Sequence, residues 1–237
     1  MTRIVNNCVA LVCLCLFWGQ SLRAADASHS EQIKWGNESV FNEEHNTLGL
    51  FSGVLGGQIV LAGGTSDDYS RWGRNAVCLS ENAGFALYED VLSKPLAYGA
   101  SITLSDGILC IGGRDSSQCY KDVFLVTMQQ GKLNVSEDWP PLPFPLSNAA
   151  GALLDNKVYL FGGRKSVSPS RLSDSFFVLD LSNKSRGWKV LPGYPGCVRE
   201  DAILVVQNNG VSPCLYLLGG QTETEEGLSS CLTDGYV

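Results

Sequence analysis

Two arginines occupy the same place in neighbouring repeats: Arg114 follows Gly112-Gly113, and Arg164 follows Gly162-Gly163. A guanidinium is a planar fork of donors that matches a carboxylate bidentately. The pair therefore predicts an anion-binding position, with Arg71 and Arg199 as further candidate contacts in related loops. Arg74 and Lys165 add positive charge to the same loops. Glu200 and Asp115 are the candidate acids or bases for moving a proton to or from a bound hydroxyl. Tyr98 and Asn148 begin innermost strands and are expected to face a central channel. Each of these residues also has a structural reading, as a solvated loop side chain, a carboxylate paired with a nearby arginine, or a group packed at a strand start. Asp67, Asp68 and Tyr69 form the first such loop. Asp122, Asp174 and Asp234 recur at one place in the repeat, which favours a turn or a backbone hydrogen bond over chemistry. The two histidines, His29 and His45, lie outside the repeats, and there is no Cys-x-x-Cys pair. No metal centre and no cofactor are expected.

These side chains must be positioned by strands. Apolar stretches end in paired glycines at Ile59 to Gly64, Ile108 to Gly113, Val158 to Gly163 and Leu215 to Gly220, a period of about 50 residues. Each is preceded by a turn dipeptide: Gly56-Gly57, Asp106-Gly107, Asp155-Asn156 or Asn209-Gly210. Such dipeptides accept positive φ and favour tight hairpins. Before each turn runs another apolar-small stretch, such as Tyr98 to Leu104 or Asn148 to Leu154. A third strand is expected at Asp122 to Val126 and Asp174 to Leu179, and a fourth near Trp139 and Trp188, before proline. Four short strands per repeat, none able to bury its faces alone, predict the blades of an all-β propeller. A stacked β-solenoid or a sandwich would also show repeated hairpins, but neither accounts for this period with a tryptophan per unit. Paired glycines fit a strand end that turns sharply where neighbouring blades crowd together.

Gly-Gly closing a second strand, with tryptophan farther on, resembles the kelch repeat. The stretches Pro95 to Ser101, Leu109 to Asp115, Tyr120 to Phe124, Leu142 to Ala152 and Leu232 to Tyr236 resemble the cyclically permuted mutarotase group, related to the N-acetylneuraminate epimerases (sialic acid mutarotases). The resemblance covers roughly residues 35 to 237. It implies a kelch-type β-propeller acting on a small, acidic sugar by ring opening and reclosure. That family has six blades, whereas about four are expected here: a strand at Trp35, three full blades, and a repeat that reaches its third strand at Val237. The expectation is a propeller incomplete relative to the family. The family's glutamate, in a Gly-Glu segment, has no counterpart after the diglycines, where Thr65, Arg114, Arg164 and Gln221 stand. The alternative is a non-catalytic propeller holding a glycan or a protein on its loop rim, or an inactive relative, since a fold does not decide function. A copper-radical oxidase of the same superfamily would need histidine ligands that residues 46 to 237 do not contain.

The first 24 residues read as a secretory signal: Arg3, an apolar run from Cys8 to Trp18, then small residues. The run is shorter than the roughly 20 residues a membrane span needs; an uncleaved anchor is the alternative. Residues 25 to 237 are then the propeller, secreted or periplasmic. Beyond the signal lie Cys78, Cys110, Cys119, Cys197, Cys214 and Cys231, read as buried thiols with one or two disulfides. A net charge of −7 with no basic run argues against nucleic acid and anionic membrane surfaces as partners.

Overall fold

The computed structural model describes residues 48–80, 84–224 and 227–237. The signal segment, Trp35 and both histidines lie outside the described residues. Within them the chain is nearly all strand, arranged as four successive propeller blades. The first blade is β1 (Phe51–Leu55), β2 (Gln58–Ala62), β3 (Ala76–Ser80) and β4 (Gly84–Tyr88). The second is β5 (Ala100–Thr103), β6 (Ile108–Ile111), β7 (Val123–Gln129) and β8 (Lys132–Ser136). In the third, β9 (Ala150–Leu154) and β10 (Lys157–Phe161) are followed by a small hairpin, β11 (Arg164–Ser166) with β12 (Arg171–Leu172), before β13 (Phe176–Asp180) and β14 (Lys189–Val190). The fourth has β15 (Ile203–Asn208) and β16 (Pro213–Leu218), a second small hairpin of β17 (Gln221–Glu223) and β18 (Ser229–Cys231), and then β19 (Gly235–Tyr236). Every strand pair is antiparallel, and each sheet runs in chain order outward from its first strand.

The blades stack face to face through three apolar layers. Phe51, Val60 and Cys78 of the first blade meet Ile108, Cys110 and Phe124 of the second, with the Phe51 and Phe124 rings edge to face at 5.6 Å. Leu109, Ile111 and Leu125 meet Val158, Leu160 and Phe177, joined by Trp139 and Trp188. Ala150, Ala152 and Phe161 meet Leu204 and Leu217. Alternation along each strand sends one face to each neighbour, which is why no blade buries its sheet alone. The inner strands, which lack a sheet partner on one edge, are partly satisfied by the next blade: Ser52 N–H donates to Ser101 Oγ at 3.0 Å, and Val54 N–H to Thr103 Oγ1 at 3.2 Å.

The diglycines have a definite task. In the second blade Gly112 has φ of +63°, and its N–H donates to Asp122 O at 2.8 Å. Gly113 N–H then reaches across to the next blade, donating to Leu146 O at 2.8 Å. Gly64 N–H to Leu96 O and Gly163 N–H to Arg199 O repeat the bond, each at 2.8 Å. The carbonyl of the residue before each third strand accepts from the first glycine, at Asn75, Asp122, Ser175 and Asp234. What recurs at this position is the accepting backbone carbonyl; the Asp122 and Asp234 carboxylates in addition pair with Lys94 and Arg199, and Asp174 is one residue out of register, with Ser175 in its place. All six cysteines beyond the signal segment are unpaired thiols, in place of the expected disulfides. Cys78, Cys110 and Cys119 are buried. No described helix is long and apolar enough to cross a membrane.

Candidate functional site

The site is built by the repeat itself. In each blade the residue after the diglycine forms an antiparallel bridge with the residue three positions before its blade's inner strand begins to pair: Leu48 with Thr65, Ala97 with Arg114, Ser147 with Arg164, and Glu200 with Gln221. The following residue takes a left-handed backbone in every blade, at Gly49 (φ +64°), Tyr98 (+60°), Asn148 (+55°) and Asp201 (+53°). These residues are tied from blade to blade: Tyr98 N–H donates to Gly49 O at 2.7 Å, Asn148 N–H to Tyr98 O at 2.6 Å, and Asp201 N–H to Asn148 O at 3.0 Å. The bridges put Arg114 beside Tyr98, and Arg164 beside Asn148, at the inner mouth of the blades.

The two equivalent arginines meet opposite surroundings. The Arg114 guanidinium lies against three aromatic rings, 4.6 Å from the Tyr98 centroid, 5.1 Å from Trp72 and 6.0 Å from Tyr69. Tyr69 and Tyr98 stack at 6.5 Å, Trp72 meets Tyr98 edge-on at 6.4 Å, and Trp72 Nε1 donates to Tyr69 O at 3.1 Å. Ring faces attract a guanidinium by about 0.5–1 kcal/mol each at partly exposed sites while leaving its N–H edge open. Among the described residues no carboxylate pairs with Arg114; its one acceptor is Asp115 O at 3.4 Å. Arg164 is neutralised instead. Its Nε donates to Glu200 Oε2 at 2.8 Å, one terminal nitrogen binds the other Glu200 oxygen and Glu223 Oε1, and the second binds Ser170 Oγ at 2.5 Å. Glu223 also accepts from Ser170, so this cluster joins the small hairpins of the third and fourth blades.

The other expected residues are engaged elsewhere. Arg199 is not on the rim: its side chain is fully buried and paired with Asp234 at 2.7 Å. Glu200 is buried and holds Arg164, as the structural alternative for it anticipates. Asp115 caps its own loop, accepting from Ser117 N at 2.7 Å, Ser117 Oγ at 2.8 Å, Gln118 N at 2.9 Å and Tyr120 OH at 2.6 Å. Partial burial opposes ionisation of this carboxyl, but those bonds outweigh it and hold the pKa down at about 2. That is too weak a base for proton transfer near neutrality. Arg71 is exposed, and its carbonyl closes the first loop by accepting from Ser66 N and Thr65 Oγ1. Asp68 serves the same loop through Ser66 and Ser70, and Arg74 is paired with Asp90 at 2.5 Å. Lys165 lies over the Phe144 ring, 4.5 Å from its centroid.

Sequence reasoning missed Asp201. It follows Glu200 in the register that runs through Tyr98 and Asn148, and carrying those inner strand starts forward one repeat would have found it. Its Oδ1 accepts from Asn148 Nδ2 at 2.9 Å. The carboxyl keeps a solvent-facing side while protein crowds its others. That crowding is the largest cause of its upward shift from the ordinary carboxylate range, reinforced by the nearby Glu200 charge and opposed by Asn148, Arg164 and Arg114. Burial and the Tyr69 hydroxyl likewise push the Tyr98 phenol up, keeping it protonated. The mouth therefore offers an open guanidinium on an aromatic wall, with an amide and a carboxyl within its electrostatic field.

Comparison with known proteins agrees with this architecture. Residues 145–186 match the Kelch motif. The chain is 31% identical over 106 residues to an N-acetylneuraminate epimerase of Vibrio cholerae, covering 45% of this chain and 25% of that protein. It is 32% identical over 99 residues to a Kelch domain-containing protein of the same organism, covering 41% and 25%. A Yersinia pestis N-acetylneuraminate epimerase is 30% identical over 103 residues, covering 43% and 24%. The aligned segments span about a quarter of the length of these relatives. The solved structure of YjhT superposes with a TM-score of 0.61 at 14% identity, over 79% of this chain and 64% of that one. The fold is a kelch-type propeller.

Proposed function

We propose that this propeller binds a small acidic sugar at the mouth formed by Arg114, Tyr98, Tyr69 and Trp72, and interconverts its anomers by ring opening and reclosure. The observation that carries the reading is Arg114: an arginine held over three rings with no carboxylate partner among the described residues, near the polar residues Asn148 and Asp201. Its fork suits a sugar carboxylate, and the ring faces suit the C–H face of a pyranose. Relatives named N-acetylneuraminate epimerase support an N-acetylneuraminate-like ligand. Export through residues 1 to 24 belongs to the same proposal.

The direct test follows freshly dissolved α-N-acetylneuraminate by NMR, with and without the purified chain. Faster conversion to the β anomer at catalytic protein concentration supports the reaction; a rate equal to buffer rejects it. Binding is tested separately. Arg114→Ala is expected to raise the Kd for the sugar acid by about 10–100-fold, the worth of a charge-assisted pair. Arg164→Ala is expected to raise it by less than about threefold, because Glu200 and Glu223 already neutralise that guanidinium. Equal losses in the two variants, or none, would reject Arg114 as the anchor.

A binding propeller without chemistry is the second reading. It is supported by the engagement of Glu200 and Asp115, the carboxylates expected to move protons, in internal bonds.

A further inference from the structure

We propose that Asp201 is the catalytic proton-transfer residue of this mouth, its carboxyl carrying a proton between the anomeric and ring oxygens of the bound sugar. The proposal rests on the acidic-sugar reading above and adds to it the group that does the chemistry.

Four observations converge on this residue. Backbone placement is the first: Tyr98, Asn148 and Asp201 share a left-handed conformation at the innermost position of successive blades. Such a conformation is uncommon for residues with a Cβ, and above all for tyrosine. Aspartate and asparagine adopt it more readily than other such residues, and here the bridges and the blade-to-blade N–H bonds hold it, fixing where the Asp201 side chain leaves the backbone. Second is orientation: Asn148 donates to Oδ1 at 2.9 Å, while Oδ2 has no hydrogen-bond partner among the described residues. One oxygen is fixed and the other is presented. Third is elimination: the neighbouring carboxylates are committed, Glu200 and Glu223 to Arg164, Asp115 to its loop, and Asp68 to Ser66 and Ser70. Fourth is the field. Crowding and the Glu200 charge favour the protonated form, Arg164 and Arg114 favour the carboxylate, and the Tyr98 phenol stays neutral. The balance raises the carboxyl toward the range where it can both take and return a proton.

The step balances within the site. Ionised Asp201 takes the proton of the anomeric hydroxyl as that oxygen forms a C=O bond. The C–O bond to the ring oxygen breaks, and its electron pair stays on the ring oxygen. That oxygen takes the proton back from Asp201. The carbonyl turns, and reclosure on its other face runs the same transfers in reverse, leaving Asp201 as it began.

The test is Asp201→Asn in the full chain, since asparagine accepts the left-handed backbone as readily as aspartate. Relative to the native chain, the anomerisation rate is expected to fall by about 100-fold or more, the usual share of general acid–base catalysis. The Kd for N-acetylneuraminate should stay within about threefold. The native rate should also rise with pH through the carboxyl titration, and the variant's should not. If the asparagine variant fails to fold, Asp201→Gly suits the same backbone, and added formate is expected to restore part of its rate. A variant as fast as the native chain overturns the assignment and leaves the sugar reading intact. A native chain that binds the sugar without accelerating conversion overturns the reaction and Asp201's part in it together.

Discussion

Gly112→Ala is expected to lower stability by about 4 kcal/mol, whereas the same change at Gly219 should cost about 1 kcal/mol. Both glycines open a diglycine and both are left-handed, with φ of +63° and +58°. They differ in what faces them. A Cβ on Gly112 would lie 2.2 Å from Leu146 O, the carbonyl that accepts the Gly113 N–H at 2.8 Å. Relief requires the start of the third blade to retreat, which breaks that bond and opens the apolar layer holding Leu109 and Leu160. A Cβ on Gly219 would meet nothing closer than Leu232 O at 3.4 Å, so only the backbone penalty remains. Urea unfolding of the two variants beside the native chain measures the difference. Losses of equal size would show that the diglycine serves local backbone shape alone and does not set the blade spacing.

The same pair of positions explains what could be read without coordinates. Diglycines, turn dipeptides and apolar hairpins are demands of the backbone, and every blade makes them, so they recur visibly and predict the propeller. Arg114 and Arg164 were found for the same reason, as successors of the diglycines. Their fates were not legible. The clamp on Arg114 depends on the loop that carries Tyr69 and Trp72 folding back from the first blade, a contact that no spacing within one repeat encodes. Arg164 is neutralised from the fourth blade, through Glu200 and Glu223, and the hairpins that allow this are insertions outside the period. Those insertions also lengthen the loop after the diglycine, which is how Asp174 came to be aligned where Ser175 belongs. Asp201 was hidden by its neighbour: Glu200 is the stronger acid–base candidate by type alone, but its side chain turns to Arg164 while the next residue takes the left-handed corner.

Arg199 is where chemical type misleads most, and its replacement carries the second large effect. The guanidinium is fully buried, donating to Asp234 Oδ1 at 2.7 Å and Oδ2 at 2.8 Å, to Gly219 O at 2.8 Å, to Tyr194 OH at 2.9 Å and to Cys197 O at 3.3 Å. The Tyr194 and Tyr236 rings cover it at 5.1 and 5.5 Å. Its backbone carbonyl meanwhile accepts Gly163 N–H from the third blade. One residue therefore pins the third blade by its main chain and the fourth by its side chain. Strand β19 depends on it, because only Leu217 with Tyr236 and Leu218 with Gly235 pair that strand to its sheet. Arg199→Ala removes these donors, strands Gly219 O and leaves a cavity between the tyrosines, and is expected to destabilise the chain by about 3 kcal/mol. Hydrogen exchange should show β19 losing protection while the first and second blades keep theirs. Acid supplies an independent check. The bond from Arg199 is the main reason the Asp234 carboxyl sits at about 2, below its unfolded value of about 4. The stabilisation is therefore complete above that unfolded value and is lost as pH falls through about 2, where both states bind the proton. Between those limits β19 of the native chain should lose protection, and Arg199→Ala should flatten that dependence. If β19 in the alanine variant stays as protected, and as acid-sensitive, as in the native chain, the pin does not hold the strand.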